Sequence, residues 1–163
     1  MLKTMETEIN IGVSEKNRKE TAEGLSKLLA DTYAVYLMTQ NFHWNVTGPF
    51  FPILQKLFEE QYQQLLLAVD TIAERIRELG FVTPATFSEF VKRTSLEEKP
   101  GTLSAEEMIR SLIEAHETVD RTLRHLFSQA DDVQDQATAD LLAERMEAHE
   151  KTAWMLRSSL LES

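Results

Sequence analysis

Only five glycines and four prolines interrupt 163 residues, so the chain has few places to turn and long helices are favoured. Ser14 is placed to cap a first helix over about residues 15–46, whose apolar positions include Leu25, Leu29, Tyr36 and Trp44. Gly48-Pro49 ends it. Pro52 suits the first turn of a second helix that runs to about Leu79. Within it Leu54, Phe58, Leu65, Val69, Ile72, Ile76 and Leu79 recur at steps of 3, 4 and 7, a helical stripe. Gly80 closes it.

Residues 81–103, with Pro84, Pro100 and Gly101, form a long connection in which a short helix is expected around Ser88–Arg93. So long a segment can cross the length of a bundle and set the next helix parallel to the second. Ser104 and Glu107 make a capping box for a third helix, about 105–129. Asp131, Asp132 and Asp135 mark a break before a fourth, about 136–161. The expected architecture is all-α: a short tail (1–13), then one ferritin-like four-helix bundle (14–163) with a long middle crossover.

The chain is 42% hydrophobic and 27% charged, enough for a core without staples. It has no cysteine, which excludes disulfides, thiolate metal sites and cysteine nucleophiles and fits a reducing compartment. No signal-peptide pattern is visible and no apolar run approaches the ~20 residues of a membrane span, so a cytoplasmic protein with no membrane partner is expected. A net charge of −10 repels nucleic-acid phosphates and attracts cations.

Between His43 and Glu74 an imidazole and several carboxylates stand at helical spacings. Imidazole and oxygen ligands together suit iron, zinc or manganese. With Leu54 as zero, the core stripe of the second helix spans roughly 0–60°. Gln55, Glu59, Asp70 and Glu74 then fall at roughly 100°, 140°, 160° and 200°, turned away from the core. A solvated polar face is the plain reading. Leu66 and Leu67, at roughly 120° and 220°, flank the strip and argue that this face is covered by something.

Glu59 and Asp70 lie eleven residues apart, about 16 Å along the axis, too far for one ion. A second copy packed antiparallel across a twofold axis near residues 64–65 would bring Glu59 of one chain to Asp70 and Glu74 of the other. It would make two identical sites. His43, at the end of the first helix, could join the Glu59 end. On its own wheel it aligns with Leu25, so a packed core histidine is the other reading. His149, in line with Leu142, Leu156 and Leu160, reads as core, and His116 and His125 as structural. Trp44 and Trp154 read as core aromatics. No glutamate stands three residues before a histidine, so the Glu-x-x-His pair of an intrasubunit di-iron bundle is absent.

Asn41-Phe-His-Trp-Asn-Val-Thr-Gly-Pro49, Phe58-Glu-Glu-Gln-Tyr62, Asp70-Thr-Ile-Ala-Glu-Arg75 and His149-Glu-Lys-Thr-Ala-Trp-Met-Leu-Arg157 closely resemble the Dps family, the DNA-protection-during-starvation mini-ferritins. The resemblance covers nearly the whole chain. It implies a hollow homododecamer with 23 symmetry and twelve two-iron ferroxidase sites at twofold interfaces. Each site would take His43 and Glu59 from one subunit and Asp70 and Glu74 from its neighbour. Fe²⁺ would be oxidised by hydrogen peroxide, more slowly by dioxygen, and stored as Fe³⁺ mineral in the cavity.

By the same resemblance Trp44 is either a one-electron relay beside the site or a packing residue. Glu60 is either a nucleation carboxylate or a solvated one. Asp135, Asp140 and Glu144 either line a threefold pore or supply favourable charge at a helix N-terminus. Glu59 stands where many members have aspartate. The family's second histidine, twelve residues after the first, is here Gln55, a weaker, neutral ligand, so the second iron position is expected to be weak or water-completed. Members that bind DNA often use lysine-rich tails. The N-terminal stretch offers Lys3, Lys16, Arg18 and Lys19 among Glu6, Glu8, Glu15 and Glu20, and the last residues are Leu161-Glu-Ser163, so unaided DNA binding is not expected. The runner-up reading is an impaired ferroxidase shell serving as a structural or DNA-associated particle.

Overall fold

A computed structural model describes residues 8–160 of the chain; part of the expected tail, Lys3 and Glu6 included, and residues 161–163, the first of them the expected end of the fourth helix, lie outside them. Five helices follow in order: α1 (Glu15–Asn45), α2 (Phe51–Glu78), α3 (Phe87–Arg93), α4 (Ala105–Asp132) and α5 (Gln136–Ser158).

The starts are set by local chemistry. Ser14 accepts from the Asn17 amide, and Thr86 and Ser104 each form a reciprocal capping box with the glutamate three residues on, Glu89 and Glu107. These bonds satisfy amides that have no partner inside the helix. Pro52 sits in the first turn of α2, where a missing N–H costs nothing. Gly80 ends α2 at φ +97, a left-handed conformation open to glycine. A side chain there would strike Ile9 and crowd Arg18, whose guanidinium donates to the Leu79 carbonyl at 2.7 Å. The end of the expected tail is thus pressed onto the end of α2.

α1 packs on α2, α4 on α5, α1 on α4 and α2 on α5, which leaves α2 and α4 diagonal. The core is filled by residues such as Leu25, Leu28, Phe42, Phe58, Ile72, Leu112 and Leu123. Every member of the α2 stripe is buried except Val69, which packs against the core half-covered. Gly24 of α1 leaves room for the Leu126 side chain of α4.

The crossover climbs α1 from end to end. It leaves α2 beside Arg18. Buried Asp31 then takes hydrogen bonds from Thr94 Oγ1 (2.8 Å) and from the Ser95 amide and hydroxyl (2.7 and 3.0 Å). Near the far end Asn41 donates to the Lys99 carbonyl at 3.1 Å, and Gly101 lies against Asn41 and Asn45. α4 therefore starts at the end of the bundle where α2 starts and runs parallel to it, as expected of a long crossover.

The expected break at Asp131 and Asp132 falls later. α4 continues through Asp132, and the turn is Val133–Asp135, with Gln134 at φ 58. The Asp135 amide closes the turn onto the Ala130 carbonyl at 2.9 Å. Acidic residues here tolerate the last helical turn because Asp131 and Asp132 face solvent. Trp44 and Trp154 are not core aromatics: they are 63% and 60% exposed. Phe42 holds the core position in the last turn of α1, and two residues on, roughly 200° round the helix, Trp44 faces outward.

Candidate metal centre

His43 sits in the last turn of α1, half-buried, and its Nδ1 lies 2.8 Å from the Gln55 backbone carbonyl. A carbonyl can only accept, so Nδ1 carries the proton and Nε2 keeps its lone pair. That is the tautomer and support a metal-binding imidazole needs. The contact uses the main chain of Gln55, so it survives any side chain at that position. The ring meets Tyr62 edge to face with centroids 5.3 Å apart. Of the two readings of His43, the structure favours an oriented, half-accessible imidazole over a packed one.

Gln55 and Glu59 are half-buried and Asp70 and Glu74 exposed, all on α2. None of the ion pairs among the described residues engages Glu59, Asp70 or Glu74, whereas Glu60 pairs with Lys56 at 4.0 Å and Glu78 with Arg75 at 2.8 Å. Between the two halves of the carboxylate strip stand Leu66 and Leu67, the latter 72% exposed, and Ile53 is exposed on the same helix. Leucines this exposed in mid-helix are unusual for a face meant for water. Among the described residues no three of His, Asp and Glu meet as a metal-binding group. Within one chain, then, His43, Gln55 and Glu59 share one end of α2, and Asp70 and Glu74 are held apart from them by the rigid helix.

Trp44 follows His43 into solvent. Asp135 is buried within the chain, its side chain takes the Thr138 amide at 3.1 Å, and it pairs with Arg75 at 2.9 Å. Asp140 and Glu144, farther along α5, are exposed.

One polar cluster went unseen in the sequence. His116 of α4 and His149 of α5 are both buried, with Nδ1 atoms 2.8 Å apart, and Arg145 Nη2 lies 3.3 Å from His149 Nε2. Arg145 can only donate, so His149 carries its proton on Nδ1 and donates to His116 Nδ1. The proton of His116 is then on Nε2, which has no partner. Burial pushes the His116 imidazole from its ordinary 6.5 down to about 3, with Arg145 adding to the effect. Burial, then the neighbouring His116 and Arg145, pushes His149 well below 6.5. The signal was present: His116 continues the apolar line Leu112, Val119, Leu123 on α4, as His149 continues Leu142 and Leu156 on α5. Two histidines on facing core stripes had to meet or stay unpaired.

The ferritin-like domain family matches residues 22–162 of the chain. A low temperature-induced protein of Nostoc is 41% identical over 92% of this chain and 85% of its own length. The DNA protection during starvation protein of Brevibacillus brevis is 35% identical over 83% of this chain and 91% of its own. The crystal structure of a Dps protein from Vibrio cholerae, described as a member of a broad superfamily of ferritin-like diiron-carboxylate proteins, superposes with a TM-score of 0.89 at 28% identity, covering 96% of this chain and 98% of that one.

Proposed function

The chain belongs to the Dps family of ferritin-like proteins, and we propose that it is an iron-storage and detoxification ferroxidase whose sites close only between two copies. The observation that carries this reading is the split ligand set. Gln55 and Glu59 lie at one end of the outer face of α2 with His43 of α1 beside them, Asp70 and Glu74 lie toward the other end, and uncovered leucines stand between. An antiparallel second copy buries those leucines and brings the two halves together twice. Twelve such chains form a hollow cage in the full proposal.

Fe²⁺ is the substrate. His43 Nε2 with Asp70 and Glu74 of the second copy furnishes one position, and Glu59 with the Gln55 amide the other. The carboxylates offset the growing positive charge on oxidation. Two Fe²⁺ give one electron each to hydrogen peroxide, which with two protons yields two Fe³⁺ and two waters and releases no hydroxyl radical. Fe³⁺ then hydrolyses to an oxyhydroxide mineral and returns protons. Dioxygen serves as the slower oxidant. Glu60, Asp140 and Glu144 remain exposed carboxylates for nucleation and entry. Trp44 is accessible enough to exchange electrons. With −10 per chain, DNA is not expected to bind without a local basic patch.

The test is peroxide-dependent Fe²⁺ oxidation by the purified assembly together with its size, expected at about twelve 18.7 kDa chains. A monomer, or an assembly that leaves Fe²⁺ unoxidised, sinks the reading. The runner-up shell with impaired oxidation would show the size without the rate.

Gln55 makes a second prediction. An amide oxygen is a poorer ligand than imidazole for a divalent transition metal. Anaerobic Fe²⁺ titration by calorimetry should show one tight and one weak iron per site. Gln55→His should tighten the weak one by about 10-fold or more, the scale on which ligand-sphere changes act. Two equally tight irons in the unaltered protein would contradict this.

A further inference from the structure

All three tyrosines of the chain lie in one ring-to-ring series that ends on His43. Tyr62 of α2 meets His43 with centroids 5.3 Å apart, Tyr36 of α1 meets Tyr62 at 6.0 Å, and Tyr33 meets Tyr36 at 5.5 Å. All three pairs are edge to face, at the separations where aromatic rings touch. Tyr33, Tyr36, Gln40 and His43 follow one another at steps of 3, 4 and 3, so they share one stripe of α1, with Tyr62 set against it. The far end, Tyr33, stacks on Phe90 of α3 at 4.9 Å and lines a groove of about 280 Å³ between α1 and the crossover. Packing alone would be served by phenylalanine, as at Phe42 and Phe58. Phenols differ from it in being oxidisable by one electron with loss of a proton.

We propose that Tyr62, Tyr36 and Tyr33 form a redox relay that supplies the second electron to peroxide when only one iron is bound at the His43 site, and that a small one-electron reductant resets it at Tyr33, the end of the series that lines the groove. The proposal rests on the ferroxidase reading above. It answers a hazard that reading creates: with Gln55 weakening the second iron position, one Fe²⁺ meeting hydrogen peroxide has one electron to give where two are needed. A one-electron cleavage releases hydroxyl radical.

In the relayed step Fe²⁺ and the Tyr62 phenol each give one electron. Hydrogen peroxide, Fe²⁺, tyrosine and one proton become Fe³⁺, a neutral tyrosyl radical and two waters. The O–O bond breaks and the phenolic proton leaves to water, which the half-buried rings allow. The unpaired electron site then moves by exchange with Tyr36 and Tyr33. Tyr36 Oη already accepts a hydrogen bond from Gln40 Nε2 at 3.3 Å, so its own O–H proton is free to leave, and the same donor remains for the radical oxygen. Phe90, which is not oxidisable at this potential, ends the series. Ascorbate, or another enediol or thiol of that size, returns an electron and a proton to Tyr33.

The experiment loads the assembled protein anaerobically with one Fe²⁺ per subunit, adds one equivalent of hydrogen peroxide, and freezes it within milliseconds for electron paramagnetic resonance. A parallel sample carries a hydroxyl-radical spin trap. The unaltered protein should give a tyrosyl signal and little trapped radical. Tyr62→Phe keeps the ring and its packing; it should lose the tyrosyl signal and raise the trapped yield several-fold. Tyr33→Phe should keep the signal and slow its decay with ascorbate about tenfold. Fe²⁺ oxidation without any tyrosyl signal overturns the relay and leaves the ferroxidase reading standing. A signal that survives Tyr62→Phe but vanishes in Trp44→Phe also overturns it. No peroxide-dependent oxidation in the unaltered protein overturns both.

Discussion

His43→Ala and Asp70→Ala chains, each roughly 100-fold slower than the unaltered protein in peroxide-driven Fe²⁺ oxidation, are expected to recover about one quarter of the full activity when unfolded together in equal amounts and reassembled. The reason is geometric. If each site takes His43 from one chain and Asp70 from the other, a homodimer of either variant has no intact site. A mixed dimer has one intact site and one doubly broken site. Half the dimers are mixed, so about a quarter of all sites carry both ligands. Were His43 and Asp70 partners within one chain, no mixing would restore anything. The 16 Å or so of rigid helix between Glu59 and Asp70 is what makes the two cases distinct. Full inactivity of the mixture, with normal assembly by size, would refute the intersubunit site.

Acid should unfold the subunit through its buried histidine pair. His116 is held down to about 3, and His149 well below 6.5, while both return to the ordinary value in the unfolded chain. The unfolded state therefore binds protons below pH 6.5 that the folded state refuses. Stability is fully present above that pH and is lost as pH falls toward about 3. His116 contributes roughly 1.4 kcal/mol per pH unit over this window, and His149 acts in the same direction. Replacing both, as His116→Leu with His149→Leu, should flatten the dependence of unfolding free energy on pH between about 6 and 4 by at least ~1.4 kcal/mol per unit. Denaturant unfolding followed by helix circular dichroism at several pH values measures it. The single variant His116→Leu strands the His149 Nδ1 proton and should cost about 1–3 kcal/mol at neutral pH. An unchanged slope in the double variant would show that the pair does not govern acid stability.

Much of this architecture could be read from local chemistry. Ser14, Thr86, Ser104, Pro52 and Gly80 act within a few residues of themselves, and the α2 stripe declares its own period. Each therefore carries its signal in the sequence. Asp131 and Asp132 misled because an acidic run is compatible with both a break and a solvent-facing last turn; the Asp135–Ala130 bond decides between them. Trp44 and Trp154 misled because size favours burial on average, while helix phase put Phe42 in the core and Trp44 outside it. Asp135 could have lined a pore or capped a helix. Arg75, sixty residues earlier, holds it in an ion pair that no local pattern announces.

The sequence alone determined the helices, their order, the long crossover, and the separation of His43 and Glu59 from Asp70 and Glu74, because rise and rotation along a helix are fixed by the backbone. Tertiary structure decided everything that depends on which helix faces which. It set the His43 tautomer through the Gln55 carbonyl, seated Asp135 on Arg75, joined His116 to His149, and brought Tyr62 between Tyr36 and His43. Those contacts come from side chains on different helices, whose relative rotation is chosen by core packing and is written in no single stretch of sequence.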